Sequence, residues 1–414
     1  MFIRFHNIVW AAIVLGFVAR LFFALAPGKA IAAPWSGGSD APAYVLLAHN
    51  VASGMGLSYC GMPDAIRPPL YPLILAGLIK GFGDNFAVAV RILQFLAGLL
   101  TAYLCYLTAK RLWGEQAALL AAAAVLLTPT LAYLTGEVMT ESFAALVVAG
   151  FLCLLLKQLD SPSLSGWAFL GVLVGLGTLI RFNFAVLGIV AVGVVLWTLG
   201  TPRGLRAVAL TTMAAGLTIA PWVARNLKEF HGHVLLSSQT GYNMVQGLIT
   251  PEGRALPGDS DKLIRAEGWV QGQIETNNIT RLSYPDEGTL NSDTTQVAIG
   301  MWRSAGIKAI PVIIRKFGYL WLETDQFTWY PGRGGMVRKL GVVIWWVMLG
   351  SALGGWILLR ERNPTASLTL LFYAVLLTFF HMPFVMNTRL GTPFLAPLAG
   401  VLLPGINFLR RATQ

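Results

Sequence analysis

A few side chains in this sequence have the types and the spacing to do chemistry. Asp40 stands in Gly38-Ser39-Asp40-Ala41-Pro42-Ala43-Tyr44, where a proline would start a helix. A carboxylate there can take or orient the proton of an attacking hydroxyl, and it can equally cap the helix. Glu137 and Glu141 follow in Thr135-Gly136-Glu137-Val138-Met139-Thr140-Glu141, four residues apart, so both can face one way from the top of a helix. The helix dipole favours acids at that end. An acid at an apolar boundary is otherwise costly unless it meets a wet cavity. Arg67 is held before Pro68-Pro69-Leu70-Tyr71, and its guanidinium suits two oxygens of a phosphate or a lipid headgroup. Arg181, Arg225 and Arg389 each sit at the edge of an apolar run. Each needs an anion there, either a carboxylate partner or a phosphate. His231 and His233 flank Gly232, with no third ligand at metal spacing, and read as surface residues.

The elements that position these groups follow from composition. Of 414 residues, 56% are hydrophobic and 12% charged, against about 25% charged in a soluble domain. A mean hydropathy of +0.65 leaves too much apolar surface to hide from water, so the chain reads as all-α and polytopic, with the bilayer as its solvent. The net charge of +11 comes from basic residues scattered at the ends of apolar runs, not gathered into a face for nucleic acid. Three cysteines make no disulfide framework: Cys105 and Cys153 lie in apolar runs, and Cys60 stands in a loop.

About 20 apolar residues per crossing predict ten spans, near 8–27, 87–109, 117–134, 138–157, 167–180, 184–200, 207–224, 340–359, 366–382 and 391–409. The first reads as an uncleaved helix. Polar knuckles at Thr135-Gly136-Glu137 and Arg181-Phe182-Asn183 break the two longest apolar stretches. Lys110, Arg111, Lys157, Arg203, Arg206, Arg360, Arg362, Arg410 and Arg411 fall on the side of the N-terminus, which makes both termini cytoplasmic. The organisation expected is an N-terminal transmembrane module (1–224) with an external first loop (28–86), an external segment (225–338) covering a cavity, and C-terminal helices (339–414).

The first loop should hold a short helix from Ser39 or Asp40 to about Ala52, with Tyr44, Ala48 and Val51 on one stripe. Gly54 and Gly56 end it, and Pro68-Pro69 open an interfacial helix from Leu70 to about Ile79. In the second segment, polar stretches around Pro251–Asp261 and Tyr284–Asp293 lead to an amphipathic helix from Thr295 to about Lys316. An aromatic exit follows from Trp321 to Tyr330. A sequon at Asn278-Ile279-Thr280 carries little weight.

The order of these residues resembles the GT-C superfamily of multispanning glycosyltransferases, and within it the bacterial relatives of protein O-mannosyltransferases and of the aminoarabinose transferase that modifies lipid A. The residues carrying the likeness are Asp40 with Tyr44, Arg67-Pro68-Pro69-Leu70-Tyr71-Pro72 and Gly136-Glu137. Further along come Gly171 to Arg181, Pro221-Trp222 with Arg225-Asn226, and Arg389 with Pro393 and Pro397. The resemblance implies a polyprenyl-phosphate sugar donor, inverting transfer, a site at the external face of a bacterial inner membrane, and a lipid, glycan or protein acceptor. It implies Asp40 as catalytic acid or base and Glu137 as a second catalytic carboxylate. Arg67, with Arg181, Arg225 and Arg389, would hold the donor phosphate, and Tyr44, Tyr71 and Glu141 would contact substrate.

Two departures are visible. Many members carry an Asp-Glu pair in the first loop, whereas Ala41 follows Asp40 here. Several have Lys where this chain has Arg67. The first leaves a divalent metal (Mg or Mn) an open question. Two other readings are a polyprenyl-linked glycan flippase or transporter, and an O-antigen polymerase or ligase. Against transport, the polar residues gather at one surface and the two halves do not resemble each other. Against the polymerase, the carboxylates concentrate in the early loop.

Overall fold

The computed structural model describes residues 2–25, 40–59, 61–247, 287–321, 336–384 and 388–405. Gly38 and Ser39, Cys60, the sequon, the stretch Pro251–Asp261, the start of Tyr284–Asp293 and the aromatic exit beyond Trp321 lie outside them. The fold is all-helical apart from a two-residue hairpin, Ser58–Tyr59 with Met62–Pro63.

The first half is α1 (Phe2–Leu25), α2 (Ala41–Ala52), α3 (Leu70–Phe82), α4 (Phe86–Trp113), α5 (Glu115–Leu127), α6 (Pro129–Leu134), α7 (Glu141–Asp160), α8 (Leu164–Ile180), α9 (Ala185–Leu199) and α10 (Thr201–Glu229). The second is α11 (Thr240–Gln246), α12 (Glu287–Ala305), α13 (Ile310–Trp321), α14 (Met336–Arg362), α15 (Pro364–His381) and α16 (Thr388–Leu402).

Among the described residues, eight helical runs are long and apolar enough to cross a bilayer, where the sequence predicts ten spans. Three expected spans are shorter apolar helices, within α5, α8 and α16. The stretch 117–134 breaks at Thr128, whose extended backbone (ψ 109°) is what a following proline demands. The eighth run, Thr294–Gly318, is the segment read from sequence as an external amphipathic helix. Composition alone qualifies it to cross. Its packing ties it to the head of the bundle, because α12 lies on α11 and Lys316 Nζ donates to the carbonyls of Met382 and Phe384 at the end of α15.

Two ion pairs show which helix ends lie together. Arg111 and Asp160 join the C-terminal ends of α4 and α7 (2.5 Å). Arg181 and Glu141 join the end of α8 to the start of α7 (2.8 Å). The C-terminal ends of α4 and α7, with Lys110, Arg111 and Lys157, therefore lie together, at the end of α7 opposite Glu141 and Arg181.

Close helix packing explains two of the glycines. On Gly171 a Cβ would lie 2.2 Å from the Thr211 carbonyl oxygen of α10. Small residues let two membrane helices approach backbone to backbone. On Gly136 a Cβ would lie 2.7 Å from the Phe23 carbonyl oxygen of α1. That neighbour is backbone and cannot swing aside, so Gly136→Ala is expected to cost about 1–3 kcal/mol. A melting temperature in detergent equal to wild type would contradict this packing.

Candidate active site

The site is built on α2 and α3. Tyr44, Val45, Ala48, Tyr71, Leu75 and Ala76 bury one face of each helix in a small core with Phe86, Val90 and Val138. Tyr44 meets Tyr71 edge to face, with ring centroids 5.1 Å apart. The sequence stripe is thereby explained, and α2 ends in Gly54 and Gly56, both at positive φ (84° and 70°).

This platform brings Asp40 and Arg67 together. Arg67 Nη2 donates to Asp40 Oδ1 at 2.7 Å, across 27 residues of chain. Asp40 occupies the cap position of α2 but makes no side-chain capping bond, so of its two sequence roles the capping one is not used. The guanidinium also lies 5.5 Å from the Tyr44 ring centroid. The two side chains are 27% and 23% exposed, open enough for a ligand to reach.

The second carboxylate group differs from expectation. Glu137 and Glu141 do not share a helix face, because α7 starts only at Glu141 and Glu137 lies in the turn before it. The four-residue helical spacing does not apply across a turn. Glu141 is wholly buried and paired with Arg181, whose Nε also donates to Thr140 Oγ1 at 2.8 Å. Glu137 is half-buried, and among the described residues its carboxylate makes no hydrogen bond or ion pair.

Tyr44 lies between the two ion pairs. Its phenol pKa is raised, first by burial, with the charges of Arg67, Asp40, Arg181 and Glu141 all acting on it.

Arg225 faces a different set of partners. Its Nη1 donates to the Asp64 carbonyl and to Asn226 Oδ1, and its Nη2 to the Leu57 carbonyl. The guanidinium stacks between Trp222 and Phe230, at 5.0 and 5.3 Å from the ring centroids. Trp222 Nε1 and Asn226 Nδ2 bind the carbonyls of Leu236 and Leu235. Pro221-Trp222 and Arg225-Asn226 thus form a clasp that fixes the loop leading into Arg67. Arg389 lies in the first turn of α16, and its side chain is outside the described residues.

Sequence reasoning missed several buried polar groups. Arg20 of α1, 1% exposed, donates to the carbonyls of Val125 (2.8 Å), Leu126 (3.2 Å) and Leu131 (3.4 Å), supplying donors where α5 and α6 break. Its signal was an arginine inside an otherwise apolar run. Gln94 and His381 carried no such signal, and Asn183 showed only as part of the polar knuckle. Asn183 Nδ2 meets His381 Nε2 at 2.8 Å, tying the Arg181 knuckle to α15.

His231 and His233 are exposed. Among the described residues no three His, Cys, Asp or Glu side chains gather as a metal site.

In fold the chain is similar to the Archaeoglobus fulgidus oligosaccharyltransferase in its apo form, with a TM-score of 0.56, 12% identity, and 98% of this chain against 51% of that one. The oligosaccharyltransferase AglB from Archaeoglobus fulgidus, in complex with an inhibitory peptide and a dolichol-phosphate, matches with a TM-score of 0.54, 12% identity, 98% and 51%. This chain therefore spans about half the length of the archaeal protein. ArnT from Cupriavidus metallidurans, bound to undecaprenyl phosphate, aligns at 18% identity over 94% of this chain and 78% of that one, with a TM-score of 0.44. No curated protein matches in sequence. The helical fold is thus similar to that of the archaeal oligosaccharyltransferase, and residues 66–224 match the sequence profile of the dolichyl-phosphate-mannose-protein mannosyltransferase family.

Proposed function

We propose that this protein is a membrane glycosyltransferase that moves a sugar from a polyprenyl-phosphate carrier to an acceptor hydroxyl, with inversion. The observation that carries the reading is the Asp40–Arg67 contact, a proton acceptor and a phosphate-binding guanidinium 2.7 Å apart on a partly open face. The match to the mannosyltransferase profile supports it, as does the dolichol-phosphate bound by the archaeal protein of similar fold.

In this mechanism the donor phosphate takes Arg67. The acceptor oxygen attacks the anomeric carbon from the face opposite the phosphate, and the carbon–oxygen bond to the phosphate breaks. Asp40 receives the hydroxyl proton, and Arg67 meets the charge that develops on the departing polyprenyl phosphate. Glu137 is the second carboxylate at the mouth. Arg181, paired to Glu141, and Arg389 are the further cations, while Arg225 holds the Arg67 loop. Tyr44 and Tyr71 form the wall beneath. The segment 225–338 covers the cavity and shapes acceptor choice, with a lipid, glycan or protein as the acceptor. The helix ends bearing basic residues point to the cytoplasm, so the site faces outward across a bacterial inner membrane, with both termini cytoplasmic.

The test is release of polyprenyl phosphate from a short-chain polyprenyl-phosphate sugar by the purified protein. Arg67→Ala removes charge-assisted bonds worth about 1.5–3 kcal/mol and should weaken donor binding at least tenfold. Movement of labelled lipid across proteoliposomes with no polyprenyl phosphate released would replace this reading with the flippase.

A further inference from the structure

Gln94 is wholly buried in α4 and makes five hydrogen bonds to two other segments. Its Oε1 accepts from the Tyr71 hydroxyl at 3.1 Å and from the Met139 N–H at 3.4 Å. The two hydrogens of its Nε2 are shared among the carbonyls of Glu137 (2.6 Å), Thr135 (3.0 Å) and, more weakly, Leu134 (3.5 Å). The orientation of the amide is dictated, because carbonyls need the NH2 end and an N–H needs the oxygen. One side chain therefore links α3, which directly follows Arg67, to the turn that displays Glu137.

Backbone bonds from Gly136, Glu137 and Met139 shape the turn, and side chains anchor it from outside. Residues 135–140 are outside any helix, and Thr135 and Val138 to Thr140 are buried, so their backbone groups need partners within the protein. Arg20 supports the near end of the turn through Thr135 Oγ1 at 3.4 Å. Gln94 alone among these side chains reaches the backbone of Glu137 itself. Tyr71 in turn packs against Tyr44, on which the Arg67 guanidinium lies.

We propose that Gln94 is a positioning residue for the transfer reaction, setting the Glu137 carboxylate relative to the Asp40–Arg67 pair. The inference rests on the glycosyltransferase reading above. It assigns to an uncharged, wholly buried residue control over the rate of the transfer step.

The experiment is a double-mutant cycle on the purified protein in detergent, using a short-chain polyprenyl-phosphate sugar and measuring kcat and donor KM. Gln94→Glu keeps the shape and loses the donors to Glu137 and Thr135. It is expected to lower kcat about 10- to 100-fold, as small misplacements of a reacting group do, while leaving donor KM near wild type. Glu137→Gln is expected to lower kcat as well, and Gln94→Glu added to it should lower kcat no further, because Gln94 acts through Glu137.

Tyr71→Phe removes one bond from the same amide with less disturbance, and serves where Gln94→Glu does not fold. It should lower kcat a few-fold in wild type and not at all in Glu137→Gln. Multiplying losses in the double variants would overturn the positioning role while leaving the glycosyltransferase reading intact. Full turnover in Glu137→Gln would overturn the role of Glu137 and this proposal with it. Absence of turnover in wild type would sink the reading on which both stand.

Discussion

Asp40→Asn is expected to lose sugar transfer by about 10²- to 10⁴-fold, the usual worth of a positioned proton acceptor, and at the same time to bind the donor more tightly. The second half follows from the ion pair. Arg67 is engaged by the Asp40 carboxylate at 2.7 Å. A donor phosphate has to compete with that carboxylate for the same guanidinium. Asparagine keeps the shape and removes the competing charge. A partly exposed pair is worth up to about 1 kcal/mol, so the donor should bind roughly 2- to 5-fold more tightly. Binding of a polyprenyl phosphate to Asp40→Asn and wild type, beside turnover, reads both effects. Near-normal transfer by Asp40→Asn would remove Asp40 from the mechanism. Weakened donor binding would show that Asp40 supports the phosphate site rather than competing for it.

Glu141→Gln should be the most destabilising conservative change at this end of the bundle. Glu141 is fully buried and Arg181 nearly so, and they meet at 2.8 Å. Removing one charge leaves the other buried and uncompensated, at a cost of about 3–5 kcal/mol. Replacing both with apolar residues of similar size, Glu141→Leu with Arg181→Met, should recover most of that loss, because neither desolvated charge remains. Thermal unfolding in one detergent compares the three proteins. A single variant as stable as wild type would mean that solvent or lipid reaches the pair. If Arg181 also serves the donor phosphate, the double variant regains stability without regaining activity.

The two charge pairs show how far one dimension of information reaches. Hydropathy located the apolar runs, and the structure has helices at each: α1, α4, α7, α9, α10, α14 and α15 fall on expected spans. This works because a bilayer imposes a length and an apolar composition on any segment that crosses it, and both are written locally. Local signals also located α2 and α3, through Pro42, Gly54, Gly56 and the Pro68-Pro69 pair. The segments with Asp40, Arg67, Glu137 and Arg181 were legible for the same reason, since a charge beside an apolar run needs an explanation wherever it stands.

What those charges meet was decided only by the tertiary structure. Arg67 reaches Asp40 across 27 residues, Arg181 reaches Glu141 in the preceding helix, and Arg225 reaches the carbonyl of Asp64 across 161 residues. In sequence the four arginines looked alike, as cations in need of an anion. In the fold, one pairs on an open face, one is sealed in with a carboxylate, one clasps backbone carbonyls, and the side chain of Arg389 is not described. Gln94 was invisible for a related reason: a neutral amide in an apolar run costs little in hydropathy and advertises no partner. A side chain's type sets what it can bond, and that is a local property. Which group fills the bond depends on how helices pack in three dimensions, and no short stretch of the chain carries that information.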